Sequence, residues 1–205
     1  MQPAGGMTEL MNPISTDAMS RLFLEARTAN GFLPTPVSDA QLEALYNVLK
    51  MGPTGANSGP ARFVFVRSAQ GKAKLLQTVS PGNVEKTTSA PVTVIVAYDL
   101  EFYEKLPKLM PHVDARSWYA GNDASIVATA KQSGTLGGAY LIMAARALGL
   151  DAGPMGGFNA AMVDDLFFTG THWRANFLVN LGHIDASKTH PRLPRLDFSE
   201  ACQLA

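Results

Sequence analysis

The chain has 205 residues, 46% of them hydrophobic and only 17% charged, so it can close one substantial core but has little charge with which to solvate a monomer. Its 17 basic and 17 acidic side chains cancel, which removes the electrostatic basis for a nucleic-acid or anionic-membrane partner. The single cysteine, Cys202, excludes an internal disulfide framework and reads as an ordinary tail residue of a protein kept in a reducing compartment.

Low charge density points to apolar surface covered by a second copy, since most soluble oligomers are symmetric homo-oligomers. The opening Met1-Gln-Pro-Ala-Gly-Gly-Met7 lacks the basic-then-apolar pattern of a secretory signal. No run of about eighteen apolar residues predicts a membrane span. A cytoplasmic protein is expected, with residues 1–14 flexible.

In chain order, a helix is expected from Asp17 to about Ala29, capped by Thr16, with Leu22, Phe23 and Ala26 on its buried stripe. A second helix starts at Ser38, where Ser38-Asp-Ala-Gln41 reads as a capping box. Its Leu42, Leu45, Tyr46 and Leu49 recur at helical spacing, and Gly52-Pro53 ends it. Arg62–Val66, Val92–Ala97 and Asn176–Leu181 are short, β-branched or aromatic, and bounded by turn formers, so they read as strands. The second is apolar enough to be buried on both faces.

A long helix is expected over Asp123–Leu148 despite Gly134, Gly137 and Gly138, each of which costs roughly 1 kcal/mol relative to alanine. Either the helix breaks there, or the small residues admit another backbone or a planar ligand at close range. A shorter helix, Ala160–Phe168, follows its cap Asn159. From His183 the chain is punctuated by proline and arginine and reads as an extended arm, 183–205. The whole, 1–205, is one α+β domain with an arm.

Several chemistries are absent. There is no G-x-G-x-x-G fingerprint and no phosphate loop of the G-x-x-x-x-G-K-[ST] kind. Neither an H-E-x-x-H nor a C-x-x-C pair exists, so no metal site is expected. His112, His172, His183 and His190 are scattered, none beside a nucleophile motif, and His183 reads as a packed or capping residue. An enzyme built on this chain needs a cofactor or an unlabelled site.

Five segments carry possible chemistry. Arg27 and Thr28 make either a phosphate grip or an exposed charge at a helix C-terminus. The loop Gly52–Pro60 offers a hydroxyl, a carboxamide and bare amides that suit a heterocycle's polar edge. Asn83-Val-Glu-Lys86 precedes the central strand, Gly153–Phe158 exposes N–H groups beside a helix start, and Pro191–Arg195 adds two cations.

In this order the segments resemble the nitroreductase family over nearly the whole chain. Ala26-Arg27-Thr28-Ala29-Asn30-Gly31-Phe32 is similar to that family's R-R-S-x-R-x-F, and Pro53–Phe63 to its P-S-x-x-N-x-Q-P-W-x-F. Ala147–Phe158 is similar to its A-L-G-L…G-G-F segment, and Arg192-Leu-Pro to its C-terminal phosphate arginine. Pro36–Asp39, Phe102–Pro107, Asp114–Trp118, Gly153–Met155, Phe167–Gly170 and Arg192–Arg195 resemble the branch of malonic semialdehyde reductases in pyrimidine degradation.

The resemblance implies a central mixed or antiparallel sheet flanked by helices, and an obligate homodimer with FMN at the subunit interface. Arg27, Thr28 and Arg192, with Arg195, would grip the phosphate. Asn83 and Lys86 would face the pyrimidine side, where a cation stabilises reduced flavin. Gly156 would offer its N–H to flavin N5, within the segment Pro154, Met155, Gly156 and Gly157. Pro53, Thr54 and Asn57 would reach across from the second subunit, and Ser133 would sit where the long helix passes the ring.

This chain departs from the family at Asn30, where a basic residue is usual in the cofactor-binding segment, and at Ala26, Gly59 and Ala61. The implied activity is NAD(P)H-dependent reduction of malonic semialdehyde to 3-hydroxypropanoate. Arg116 and His112, in a lid spanning 99–121, are the candidates to hold the carboxylate and polarise the carbonyl. Reduction of a nitroaromatic or quinone, or flavin binding without turnover, are the alternatives.

Overall fold

The computed structural model describes residues 13–205, so all but the end of the expected flexible segment 1–14 lies outside the described residues. Helix α1 (Thr16–Met19) continues into a wider π-helical turn, Ser20–Leu24, and is followed by α2 (Asp39–Leu49), β1 (Ala61–Val66), α3 (Ala69–Leu76) and α4 (Val84–Ser89). Then come β2 (Val92–Asp99), α5 (Leu106–Leu109), α6 (Asp123–Ala147), β3 (Asp151–Met155), α7 (Ala160–Phe167), β4 (Trp173–Gly182) and α8 (Phe198–Ala201).

The four strands form one antiparallel sheet in the order β1-β2-β4-β3. Period-two alternation along β2 sorts its side chains onto two faces. Val92, Val94 and Val96 pack with Leu42, Leu45 and Leu49 of α2 and Leu141, Ala144 and Ala145 of α6. Ile95 and Ala97 pack on the other face with Leu75 of α3 and Val163 of α7. The sheet is therefore covered by helices on both sides, and β2, as its run of apolar residues predicts, is buried over Val92–Ala97.

Helix α6 does not break at its glycines: it runs for 25 residues. A Cβ on Gly134 would lie 2.8 Å from Tyr98 Cβ, one on Gly137 would lie 2.6 Å from Ala61 Cβ, and one on Gly138 would overlap the Phe177 ring. The stripe of small residues thus brings the helix down onto sheet side chains.

Three other expectations change. Ser15, not Thr16, caps the first helix, and the helix stops at Leu24 instead of Ala29. Phe23 is 50% exposed, and the chain leaves the helix so that the Ala29 N–H can donate to Ala152 O of β3 at 3.1 Å. Tyr46, placed on the buried stripe of α2 by spacing, is half exposed. Strand β3 is not among the three strands expected from local composition. Its edge position explains how Pro154 is accommodated, since an edge strand leaves one row of N–H groups unpaired.

Residues 99–121 fold as short turns over the start of α6, around a cluster of Phe102, Leu106, Ala115, Tyr119, Ile126 and Ala130. The arm first runs back past the 31–33 segment, with Leu33 N–H donating to His183 O and Asp185 N–H to Gly31 O, both at 2.9 Å. It then carries Arg192 across to the end of the first helix.

Candidate functional site

The last carbonyls of a helix have no partner within it. Here the carbonyls of residues 22–26, at and just past the end of the first helix, are collected by three arginines from three parts of the chain. Arg146, in the last turn of α6, donates to Leu22 O at 2.8 Å. Arg27 donates to Glu25 O and Ala26 O, each at 3.2 Å. Arg192 donates to Phe23 O at 3.3 Å, to Ala26 O at 3.0 Å, and to Leu24 O. Arg27 therefore binds carbonyls just past the helix end and keeps further N–H groups for another acceptor.

These guanidiniums line one cavity of about 760 Å³, which also takes in Thr28, Asn30 and Arg195. Asn30 donates to Thr28 O at 3.3 Å, and Arg195 to Leu193 O at 2.9 Å. Five of the cofactor residues expected from sequence are thus brought together. Two more, Arg146 and His190, join them and had no motif to announce them.

Among the described residues, none of Arg27, Arg146, Arg192 and Arg195 has a carboxylate partner. Desolvation and the facing Arg192 both push Arg146 below the usual arginine range. Like charges gathered in a cavity without counterions fit an anion, and planar guanidiniums fit a phosphate in particular.

A second group lies at the end of β3. The Gly157 carbonyl accepts from Asn83 Nδ2 at 2.7 Å and from Ser80 N–H at 2.9 Å, so Asn83 fastens this loop. Gly156 is exposed, nothing lies within 4 Å of where a Cβ would stand, and its N–H makes no hydrogen bond in the loop among the described residues. Pro154 is half-buried. The Met155 side chain points inward, with its sulfur 3.7 Å from Thr87 Oγ1 and 3.9 Å from Asn180 Nδ2. Lys86, on α4, is half-buried and has no side-chain hydrogen bond or ion pair among the described residues.

Behind this loop sits a lysine that no motif marked. Lys72 Nζ donates to Thr87 O, Ala90 O and Thr93 Oγ1, each at 2.8 Å. Thr93 donates on to Asn180 Oδ1 at 2.7 Å. Burial pushes the Lys72 ammonium down to about 8. The one legible signal is spacing, since Lys72 lies three residues before the buried Leu75 on the same helix stripe.

The loop carrying Pro53, Thr54 and Asn57 opens on a different cavity of about 490 Å³, floored by Tyr46 and Phe63 and rimmed by Lys105 and Lys108. It shares no lining residue with the arginine cavity. Ala56 and Asn57 sit at φ 53° and 49°, a conformation that costs an alanine roughly 1–2 kcal/mol. Three bonds hold it: Gly59 N–H to Thr54 Oγ1 at 3.1 Å, Gly55 N–H to Ser133 Oγ at 3.3 Å, and Asn57 Nδ2 to Leu109 O at 2.7 Å. Ser133 is 3% exposed and lies beneath this loop.

Arg116 and His112 line neither cavity. They lie on a shallow depression of the 107–116 segment. Arg116 grips Glu104 through two bonds of 2.8 and 2.7 Å, an arrangement that holds the Glu104 carboxyl below its usual range. The guanidinium expected to meet a substrate carboxylate already has one.

The nitroreductase family model matches residues 24–183. A protein of Ralstonia nicotianae, named as a candidate NADH dehydrogenase/NAD(P)H nitroreductase, is 57% identical over 194 residues, which cover 95% of this chain and all of that one. One of Stenotrophomonas maltophilia with the same name is 54% identical over 196 residues, covering 96% of this chain and 100% of its own. The fold is similar to a candidate nitroreductase of Bacillus subtilis (TM-score 0.85, 20% identity, 93% of this chain and 100% of that one). It is also similar to one of Exiguobacterium sibiricum solved in complex with FMN (TM-score 0.83, 19% identity, 95% and 100% covered). With a family model spanning most of its length and relatives more than half identical end to end, this chain belongs to the nitroreductase family.

Proposed function

We propose that the protein is an FMN-dependent NAD(P)H oxidoreductase that reduces malonic semialdehyde to 3-hydroxypropanoate. The observation that carries the cofactor assignment is the cavity of arginines without carboxylates. The FMN phosphate supplies the dianion they lack, held by Arg27, Arg192, Arg195 and the Thr28 hydroxyl. FMN, when bound, supplies a two-electron carrier that accepts hydride from the nicotinamide and delivers it to the second substrate. The names of the relatives and the FMN complex of a structural neighbour support the same cofactor pair.

The residues of this chain then have separate tasks. The unencumbered Gly156 N–H is a donor for flavin N5. Lys86, which has no side-chain partner among the described residues, offers positive charge to the pyrimidine side. Asn83 holds Gly157 so that both glycines keep one conformation. Reduction of the aldehyde consumes one NAD(P)H and one proton per alcohol formed.

The working unit in this reading is a homodimer. Thr54 and Asn57 open on a cavity separate from the arginine one, so a flavin touched by both sets takes one set from each copy. The exposed Leu193, Leu196 and Phe198 of the arm supply apolar surface for the partner to cover.

The test begins with the purified protein: a colourless preparation that takes up no FMN rejects the assignment outright. With FMN bound, steady-state rates on malonic semialdehyde are compared with those on a nitroaromatic and a quinone. The semialdehyde is expected to give the highest kcat/KM. A nitroaromatic preference, which the names of the relatives favour, would keep the cofactor and replace the substrate. Bound FMN that NAD(P)H does not reduce would point to flavin binding without turnover.

A further inference from the structure

Lys72 is the one desolvated lysine that the proposed chemistry leaves unused. All three of its N–H donors are satisfied, and none of the acceptors is a carboxylate. Two acceptors, Thr87 O and Ala90 O, are the end of α4, whose carbonyls have no partner within the helix. The third, Thr93 Oγ1, passes its own proton to Asn180 Oδ1, and the Asn180 amide reaches the Met155 sulfur. Thr87 closes the ring, since its hydroxyl reaches the same sulfur. Thr87, Thr93 and Asn180 are all fully buried.

What this network holds is specific. Thr87 directly follows Lys86, and Met155 directly precedes Gly156. The network therefore grips the residue beside each of the two groups assigned to the flavin ring, one on α4 and one at the end of β3.

Resting on that FMN reading, we propose that Lys72 is a positioning residue: its ammonium fixes Lys86 and Gly156 in one relative placement and adds uncompensated positive charge behind the ring. Reduced flavin carries more negative charge than oxidised flavin, so such a charge favours the reduced form. A burial-weakened lysine near 8 is still mainly protonated at neutral pH, which keeps that charge in place. A lysine serving only to cap α4 would affect melting temperature and nothing about the flavin.

The experiment uses the full-length holoprotein and its Lys72→Met, Lys72→Arg and Thr93→Val variants. FMN dissociation constants are measured by fluorescence quenching, midpoint potentials by dye equilibration, and melting temperatures alongside. Lys72→Met is expected to weaken reduced FMN about tenfold more than oxidised FMN, which lowers a two-electron midpoint potential by about 30 mV. Lys72→Arg keeps the charge and is expected to restore most of that potential.

If Lys72→Met melts earlier but binds FMN with the wild-type constant and potential, the lysine is a cap and the proposal is overturned. Should Lys72→Met fail to fold, Thr93→Val decides. It cuts the link to Asn180 while leaving the ammonium, and it is expected to weaken FMN binding several-fold, whereas an unchanged constant overturns the proposal. Wild-type protein that binds no FMN would overturn the cofactor reading itself, an outcome the variants cannot imitate.

Discussion

In the arginine cavity the charged groups are exposed (Arg192, Arg195) or half-buried (Arg27, Arg146), and three of them are steadied by backbone carbonyls of residues 22–26. At the end of β3 the groups that face outward are few, an exposed glycine N–H and a half-buried lysine, and their placement comes from a polar network behind them. The first region offers attraction for an anion and tolerates some looseness, since a guanidinium fork finds phosphate oxygens from several positions. The second has to place single donors, and it does so with a network of buried and half-buried bonds. Binding strength should therefore reside mainly in the first region, and reduction chemistry in the second.

The sharpest way to break this division is at the joint between the two regions. Ala29 lies against β3 so closely that a Cβ on Gly153 would strike the Ala29 carbonyl. Gly153→Ala is expected to pry the Arg27–Asn30 segment off the strand and destabilise the fold by about 3 kcal/mol. At this chain length that is a loss of roughly 6–12 °C in Tm, together with loss of FMN binding. A variant that melts and binds like the wild type would mean that the two regions are not rigidly joined.

Within the arginine cavity, Arg192→Ala removes a charged donor set, worth about 1.5–3 kcal/mol. The FMN dissociation constant is expected to rise about 10- to 100-fold with the flavin potential nearly unchanged. A large change in potential would contradict the assignment of this region to binding alone. At the β3 end the contrast is between neighbours. A Cβ on Gly157 would stand 2.6 Å from Asn83 Nδ2, whereas one on Gly156 meets nothing within 4 Å. Gly157→Ala is expected to slow NAD(P)H-dependent flavin reduction about tenfold, by disturbing the loop. Gly156→Ala meets no protein atom and is expected to leave Tm at the wild-type value, whereas Gly157→Ala lowers it. Equal melting temperatures for the two would show that Asn83 does not hold the loop.

The two regions also differ in how much of them the sequence discloses. Arg27, Thr28, Asn30, Arg192 and Arg195 belong to recognisable segments, and the structure gathers all five. Strands β1, β2 and β4 and the capping box at Ser38 are legible because each rests on local composition. Strand β3 is not, because Gly153-Pro154 suppresses its local preference and only pairing with β4 makes it a strand. Arg146 looks like an ordinary basic residue in the last turn of a helix, and Lys72 like a solvated one. Their roles come from what other parts of the chain bring beside them. Ser133 and Met155 differ in another way: their segments are recognisable, but the inward turn of their side chains is not legible in the sequence.

The pH dependence of stability isolates the network from the cavity. With Lys72 held near 8 in the folded chain and near 10.4 when unfolded, the unfolded state binds more protons between those values. The cost of keeping the ammonium out of water is therefore present below pH 8 and is relieved as the pH rises toward 10. Wild-type protein should gain melting temperature over Lys72→Met across that window. Parallel curves would mean that Lys72 is fully solvated.

The smallest effect is expected outside both regions. Arg116 was the sequence's candidate for a substrate carboxylate, yet its guanidinium is bound edge-on to Glu104, with both side chains more than 40% exposed. Solvent-exposed pairs of this kind contribute at most about 1 kcal/mol, so Arg116→Ala should change Tm by no more than a few degrees and the semialdehyde KM by less than about twofold. A tenfold rise in KM with an unchanged FMN dissociation constant would reverse this. It would mean that Arg116 leaves Glu104 when substrate arrives and that the 99–121 segment closes on the reacting pair, making a third region, mobile and substrate-sensing, to set beside the two fixed ones.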